Sequence, residues 1–261
     1  TVSPGCTRNV CLPILEKGSG LKAGKDFLLA YSPERINPGD QNHALSKVTK
    51  VVSGLDDKSL KFVSRLYGKI VPSIHEAESL EVAEASKLLE NIQRDVNIAL
   101  LNELQFCFDE MGIPMDSVLK SASTKWNFNN YHPGLVGGHC VPVDPYYLID
   151  EAKKFSTNLP LIAQSRKTNE AAVANFYRKI LNKLTSPYAS SYVLINGLSF
   201  KPDVQDIRNS QVPPLKRMLE QNGVKVDVYD PSVKSEIAKN SFGIDLLKKL
   251  PVFDNYHLIV S

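Results

Sequence analysis

One long helical pattern constrains the fold of this chain more than any other feature. Residues 76–111 include neither proline nor glycine, and their apolar side chains recur every three or four positions, which predicts a continuous amphipathic helix. Gly112 and Pro114 mark its end. At about 1.5 Å per residue the helix is on the order of 50 Å long, so we expect a spine between two domains or a dimer surface. The predicted apolar face comprises Ala85, Leu88, Leu89, Ile92, Val96, Ala99 and Leu100.

Short apolar runs on both sides of this helix predict an α/β fold, because strands that alternate with helices are typical of a parallel sheet. The predicted strands are 27–31, 50–54, 69–72, 192–197, 224–229 and 256–261. Further helices are predicted at 59–67, 116–122, 145–153, 161–184 and 213–221. We therefore predict an α/β segment over 1–75, a helical centre over 76–186 and a second α/β domain over 187–261.

Composition excludes several classes of protein. The chain has 261 residues, 43% hydrophobic and 23% charged, so it is neither disordered nor fibrous. A net charge of +3 spread along the chain disfavours nucleic-acid binding, and no apolar run approaches the roughly 18 residues of a membrane span. Four cysteines without a Cys-x-x-Cys pair favour a reducing, cytoplasmic interior. The five histidines lack metal-ligand spacing, so we expect no metal.

Cys140 is the most informative single residue. It follows Gly137, Gly138 and His139 in a polar loop predicted over 127–144, where glycines let a ligand approach the backbone closely. A cysteine in such a loop can be accessible, and its thiolate is a strong nucleophile. The alternative is a small buried side chain, which is what most free cysteines are. Spacing alone leaves both interpretations open.

Polar residues also lie four and three positions apart on the long helix. Lys87, Asn91 and Arg94 share one face of it. A solvated face is the simpler interpretation. A buried amide, however, needs a hydrogen-bond partner, and a lysine in a cleft can act as an acid or base. This face is therefore a candidate site.

Loops that follow predicted strands hold the other candidates. Ligands of parallel sheets bind at the carboxyl ends of strands, which favours Glu34 and Arg35, with a surface ion pair as the alternative. Asp144 either orients a water molecule or caps the helix that follows it. Lys201 and Arg208 lie in one strand-to-helix loop, a position suited to a phosphate group.

Four motifs occur together and in order along the chain. They are Tyr31-Ser-Pro-Glu-Arg-Ile, Glu84-Ala-Ser-Lys-Leu-Leu-Glu-Asn91, Gly137-Gly-His-Cys-Val-Pro-Val-Asp-Pro-Tyr146, and Gly197-Leu-Ser-Phe-Lys-Pro with Asp206-Ile-Arg. In this combination the chain resembles the nucleotide-sugar 6-dehydrogenases, most of all the branch that acts on UDP-N-acetylmannosamine and other UDP-N-acetylhexosamines. The resemblance implies NAD as cofactor and a homodimer through the long helix. It also implies a partial Rossmann domain before the helical centre and a second, Rossmann-like domain after it.

The resemblance also implies a reaction, in which two hydride transfers to NAD convert the sugar's C6 hydroxyl into a carboxylate. Cys140 matches the nucleophile that captures the aldehyde as a thiohemiacetal, which is oxidised to a thioester and hydrolysed. Lys87 matches the acid/base lysine and Asn91 an oxyanion donor, both in contact with substrate. Asp144 matches a carboxylate near the water, and Glu34 one that places water or cofactor. The remaining matches are sugar-nucleotide contacts at Arg35, Ile36, Arg94 and Gly138, the UDP-binding pair Phe200 and Lys201, and NAD contacts at Thr1 and Arg208.

The two ends and the loop before Cys140 depart from the family pattern. The chain opens at Thr1 without an initiator methionine, closes on the strand-like run 256–261, and contains no GxGxxG fingerprint. We therefore expect a piece of a longer protein that alone binds NAD poorly and turns over little. The loop Pro133–Cys140 is also one residue shorter than the family pattern.

Two other functions remain open from the sequence. One is a UDP-sugar-binding or assembly module without catalysis, which would bind the sugar nucleotide but not NAD. The other is a cysteine hydrolase, which needs a base oriented by a third group. His139 is too close to Cys140 in sequence to serve easily as that base, so this reading ranks low.

Overall fold

The computed structural model describes residues 1–36, 44–185 and 187–261, and the described chain forms two compact units. Unit 1 comprises residues 1–93 and 143–159, and unit 2 comprises residues 94–142 and 160–261. The strands are β1 (Ala30–Tyr31), β2 (Thr49–Gly54), β3 (Ser73–Glu76), β4 (Tyr192–Asn196), β5 (Lys225–Tyr229) and β6 (Leu258–Val260). The helices are α1 (Leu12–Ser19), α2 (Asp57–Tyr67), α3 (Leu80–Glu110), α4 (Met115–Ala122), α5 (Asp144–Lys154), α6 (Pro160–Lys183), α7 (Val212–Gln221) and α8 (Ser235–Phe242).

Unit 1 contains a small mixed sheet in the order β1-β2-β3. β1 is antiparallel to β2, and β2 is parallel to β3. Val51, Ala77 and Ala83 pack together beneath it, with Tyr31 against them. Asp56 caps α2 by accepting a hydrogen bond from the Ser59 amide.

Two predicted strands of unit 1 differ from the structure. The strand predicted at 27–31 is only two residues long, because the Gly24 amide bonds to the Phe27 carbonyl and closes a tight turn there. The strand predicted at 69–72 is wrong. The amides of Ile70 and Val71 both bond back to the Tyr67 carbonyl, so the chain still wraps the end of α2, and pairing begins only after Pro72. Residues 37–39 of the predicted loop at 32–39, and His43, lie outside the described residues.

The long helix is confirmed as α3, although it begins at Leu80 because the preceding residues form β3 and a turn. Its C-terminus has the predicted glycine stop: Gly112 has φ +69°, and the Ile113 amide bonds to the Phe108 carbonyl at 2.8 Å.

The orientation of α3 differs from the prediction. Leu89 and Leu100, assigned to the buried face, are 66% and 54% exposed. Leu88, Ile92 and Ala99 of the predicted face are buried as expected. The buried side also includes four polar residues at heptad-like spacing. These are Glu84, Asn91, Asp95 and Asn102.

Unit 2 contains a parallel sheet in the order β5-β4-β6. All three strands were predicted, because each is an apolar run bounded by turn residues. The core around them is built from β4, β5, α6 and α7, with Leu194, Leu198, Leu215 and Leu219 at most 1% exposed. The predicted α/β class is thus confirmed, whereas helices α1 and α8 were missed. Within the described ranges, no helix combines the length and apolarity needed to cross a membrane.

Candidate active site

Asp144 and Asn91 form a buried pair in unit 1. The Asn91 amide donates to Asp144 Oδ2 at 2.5 Å, and the Thr1 hydroxyl donates to the same oxygen at 3.4 Å. Asn91 is 3% and Asp144 1% exposed, so the solvated-face interpretation is wrong for Asn91. Helix α5 begins at Asp144 itself without a side-chain cap. The Asp144 carboxylate therefore accepts a hydrogen bond from Asn91 and does not cap the helix.

The surroundings of Asp144 favour its protonated form more than water does. Burial raises the pKa of the Asp144 carboxyl, against the hydrogen bond from Asn91 and the charge of half-buried Lys87. Burial, together with Glu84 and Asp144, also raises the pKa of Tyr31 to about 12. These side chains form one electrostatic cluster in which a carboxyl group is tuned towards holding or accepting a proton.

Glu84 is a member of this region to which the sequence assigned no role. Its side chain is completely buried and accepts hydrogen bonds from the amides of Gly5 at 2.6 Å and Thr7 at 2.9 Å. The carboxylate thus fixes the N-terminal turn against α3. Its position seven residues before Asn91, on the same helix face, is the signal that could have identified it.

The loop after β1 is held by a buried lysine. Lys50 donates to the Pro33 carbonyl at 2.9 Å, and its ammonium group lies 3.7 Å from Glu34. Burial alone would raise the pKa of Glu34, but the Ile36 amide and Lys50 outweigh it and lower the pKa overall. Arg35 pairs with Glu90 of α3 at 2.7 Å, which is the kind of ion pair that the alternative interpretation expects.

In unit 2 the glycines before Cys140 allow close contact with Phe200. Gly138 has φ +85°, and a side chain there would meet the Phe200 ring at 3.0 Å. A side chain on Gly137 would lie 3.0 Å from the Asn209 carbonyl. The Gly138 backbone amide donates to the Arg208 carbonyl at 3.1 Å, and the Asn209 side-chain amide donates to the Gly138 carbonyl at 3.0 Å. Only glycine lets these two loops join so closely.

Arg208 and His139 converge on Asp206 beside this loop. The Arg208 guanidinium donates to Asp206 at 2.6 Å, and His139 Nδ1 lies 3.3 Å from the same carboxylate. The hydrogen bonds from Arg208, opposed by partial burial and aided by His139, lower the pKa of Asp206. Cys140 is half-buried and within electrostatic range of Arg208. The cysteine thus lies near a cation that an acidic residue holds in place.

A buried polar network holds the start of the Cys140 loop. Asn102 donates to the Gly134 carbonyl at 3.0 Å and accepts from the Gly134 amide at 2.8 Å. Asn102 also donates to Asn169 at 2.9 Å, which in turn donates to Asp95. Asp95 forms a buried ion pair with Arg166. Sequence reasoning missed all four network residues, although their shared faces on α3 and α6 were a signal.

Three models of one protein family match successive parts of the chain. The NAD binding domain of the UDP-glucose/GDP-mannose dehydrogenase family matches residues 1–71, its central domain residues 81–171, and its UDP binding domain residues 194–261. The chain belongs to the UDP-glucose/GDP-mannose dehydrogenase family. The predicted resemblance is thereby confirmed, and the NAD binding domain confirms NAD as the predicted cofactor.

Curated and solved members of this dehydrogenase family align with most of the chain. UDP-N-acetyl-D-glucosamine 6-dehydrogenase of Pseudomonas aeruginosa is 45% identical over 94% of the chain and 59% of its own length. Protein CapL of Staphylococcus aureus is 44% identical over 97% of the chain and 61% of its own length. The structure of UDP-D-ManNAc dehydrogenase from Pyrococcus horikoshii superposes with a TM-score of 0.81 at 32% identity. The match covers 90% of this chain and 56% of that one. The chain therefore spans about 60% of the length of the curated relatives it matches.

The predicted site residues divide between the two units. Cys140 lies within electrostatic range of Arg208 in unit 2, whereas Asn91 and Asp144 are brought together in unit 1. Unit 1 holds Thr1, Glu34, Arg35, Ile36, Lys87, Asn91 and Asp144, and unit 2 holds Arg94, Gly138, Cys140, Phe200, Lys201 and Arg208.

The side chains predicted to contact NAD carry chemistry that fits it. Thr1 offers a hydroxyl and Glu34 an ionised carboxylate, which can bond to ribose hydroxyls. The Arg208 side chain is 63% exposed despite its pairing with Asp206, so its remaining N–H groups can bind an anionic pyrophosphate. Among the residues that the structure describes, no cluster of His, Cys, Asp and Glu could hold a metal ion.

Proposed function

We propose that this chain serves a NAD-dependent 6-dehydrogenase that oxidises the C6 hydroxyl of a UDP-N-acetylhexosamine to a uronic acid. The observation that carries the proposal is the match to the family's NAD binding, central and UDP binding domains in order. The proposed domains are 1–75, 76–186 and 187–261. NAD, when bound, accepts a hydride in each of the two oxidations.

Cys140 is the proposed nucleophile. Its sulfur adds to the C6 aldehyde to form a thiohemiacetal, which becomes a thioester after the second oxidation. Water then cleaves the thioester, releasing the acid and restoring the thiol. The glycine-supported loop and the Arg208 guanidinium near Cys140 support this role, since a cation beside a cysteine favours nucleophilic thiol chemistry.

The helix α3 residues are the proposed acid/base and oxyanion groups. Lys87 moves the C6 hydroxyl proton, and Asn91 donates to the oxyanion that forms on C6. Asp144 holds Asn91 and accepts a proton from the attacking water, a role that its burial supports. Glu34 orients water or cofactor.

The UDP-sugar contacts are proposed in both parts of the sequence. Phe200 and Lys201 bind the UDP moiety, a role supported by the UDP binding domain match. Arg35, Ile36, Arg94 and Gly138 complete the substrate set. Relatives named for UDP-N-acetylglucosamine are 41–45% identical, and those named for UDP-N-acetylmannosamine 30–32%. This difference favours the gluco epimer over the UDP-N-acetylmannosamine that the sequence motifs suggested.

Calorimetric titration of both UDP-N-acetylhexosamines and of NAD into the 261-residue chain tests the binding part. We expect a UDP-sugar to bind and Lys201→Ala to weaken it by about 10- to 100-fold, because a charge-assisted phosphate contact is lost. Lys239→Ala is the matched control, since this lysine of the same unit is 64% exposed and pairs with surface Asp245. Equal affinities of both variants would remove Lys201 from the site.

NADH formation by the protein as encoded in full by its gene tests the reaction part. We expect absorbance at the NADH band with one UDP-N-acetylhexosamine and little with its epimer. UDP-sugar binding without any NADH formation would instead support the non-catalytic binding module. A cytoplasmic location stays a prediction.

We also propose a homodimer through α3. One side of this helix carries exposed Val82 and Leu89 and half-buried Val96 at heptad spacing, followed by exposed Leu100. Such a seam is typical of helix pairing, and a two-fold dimer buries the same face of both copies. The polar residues on the opposite, buried side of α3 leave this apolar stripe outside the chain's own core.

Leu89→Lys is therefore expected to weaken dimerisation by about 100-fold, since an unpaired charge would be buried in an apolar contact. Sedimentation equilibrium of the chain measures it. Phe62→Lys is the control, because Phe62 of α2 is also 57% exposed but lies on another helix. A dimer that withstands Leu89→Lys, or a wild-type monomer at all concentrations, would refute the α3 interface.

A further inference from the structure

Two cysteines that the proposed reaction does not use lie at the N-terminus of unit 1. Cys6 and Cys11 are both half-buried free thiols. They bracket a single π-helical turn, Thr7–Cys11, which continues directly into α1. The Leu12 amide bonds to the Thr7 carbonyl, the five-residue spacing that defines this turn.

The π-helical turn decides where the second cysteine points. An α-helix rotates about 100° per residue, so side chains five positions apart would diverge by about 140°. In a π-helix the residue five positions on lies one turn above the first, so Cys6 and Cys11 share one side. A disulfide needs Cα atoms within about 7 Å, and residues about one helical turn apart are separated by a distance of that order.

The surroundings of Cys6 agree with this geometry. Burial, followed by the adjacent Cys11 side chain, raises the pKa of the Cys6 thiol, with Glu84 and Glu151 adding to the effect. The turn is also held rigidly, because the buried Glu84 carboxylate accepts the amides of Gly5 and Thr7 on either side of Cys6. Two thiols are thus kept as neighbours by backbone contacts that do not involve sulfur.

We propose that Cys6 and Cys11 form a redox-active dithiol, which a small disulfide such as oxidised glutathione converts into an intramolecular disulfide. One protein thiolate attacks oxidised glutathione and forms a mixed disulfide, releasing one glutathione thiolate. The second thiol loses its proton to solvent, attacks the protein sulfur of the mixed disulfide and releases the second glutathione. Two electrons pass from the two cysteines to one oxidised glutathione, which leaves as two thiols. Neither cysteine has a role in the proposed dehydrogenase reaction.

The position of Arg8 makes the bond directly detectable. Trypsin cleaves after Arg8 and Lys17, so Cys6 and Cys11 fall in separate peptides, 1–8 and 9–17. After incubation of the folded chain with oxidised glutathione at pH 8.5 and alkylation of remaining thiols, we expect these peptides to be linked. The mass of the linked product should be two hydrogen atoms below the summed masses of the two free peptides, and reduction with dithiothreitol should separate them.

A matched variant moves the second thiol off the shared side. Leu12→Cys combined with Cys11→Ser moves the thiol one residue further, into the first turn of α1, and so rotates it by about 100° from the direction of Cys11. We expect its linked product to be at least about tenfold less abundant than in the wild type, because the thiols then diverge. Circular dichroism confirms that both chains are folded.

Three outcomes would overturn the proposal. Peptides 1–8 and 9–17 could remain unlinked while exposed Cys107 is glutathionylated. Cys6 could instead pair with Cys107 or Cys140. The displaced variant could link as readily as the wild type, which would show that chain flexibility rather than the π-helical turn joins the thiols.

Discussion

Cys140→Ala is expected to abolish uronic acid formation, with a loss on the order of 10⁴-fold or more, while UDP-sugar affinity stays within about twofold. The nucleophile would be missing, so no thiohemiacetal could form to carry the second oxidation. Binding should persist because the change deletes one sulfur from a half-buried side chain, and the Gly138 backbone still bonds to Arg208 and Asn209. NADH formation and calorimetry on the protein as encoded by its gene measure the two effects.

Cys107→Ala is the control for this experiment. Cys107 is an exposed cysteine of α3, and its removal should leave both activity and binding unchanged. Activity that survives Cys140→Ala within tenfold would remove the covalent mechanism. Loss of UDP-sugar binding together with activity would assign Cys140 a structural role in the loop.

Asp95→Ala is expected to destabilise the chain by about 3 kcal/mol, because it removes the buried carboxylate that pairs with Arg166 and leaves this cation with the more exposed Glu170 at 3.6 Å. Asp95 is completely buried and the Arg166 side chain is 5% exposed, with 2.5 Å between their charged atoms. Burial raises the pKa of Asp95, and the arginine and Asn169 oppose that effect. Urea denaturation of the variant and wild type measures the free energy of unfolding.

The same pair of helices supplies the control for Asp95. Asp109 of α3 and Lys179 of α6 also form an ion pair, at 2.8 Å, but both side chains are about one-third exposed. Asp109→Ala should therefore cost no more than about 1 kcal/mol. The double change Asp95→Ala with Arg166→Met should recover much of the lost stability, since the buried guanidinium charge is then removed as well. Equal effects of Asp95→Ala and Asp109→Ala would show that burial does not govern the first pair.

Local patterns in the sequence predicted the long helix and the strands of unit 2. The long helix was visible because its apolar period and its Gly112 stop both depend on residues within a few positions of each other. The strands of unit 2 were visible for the same reason, as apolar runs between turns. The four motifs carried the family resemblance, and with it NAD, before any geometry was available.

Contacts between distant residues decided the rest. Leu89 and Leu100 fit the predicted buried stripe of α3, yet they lie exposed. Asp95 lies buried because Arg166, 71 residues away, supplies its partner. The sequence allowed Asp144 to cap a helix, but in the structure its carboxylate accepts a hydrogen bond from Asn91. A repeating pattern reveals that a helix has two faces. Which face is buried depends on whether the fold brings a complementary group to it, and this pairing is a property of the tertiary structure.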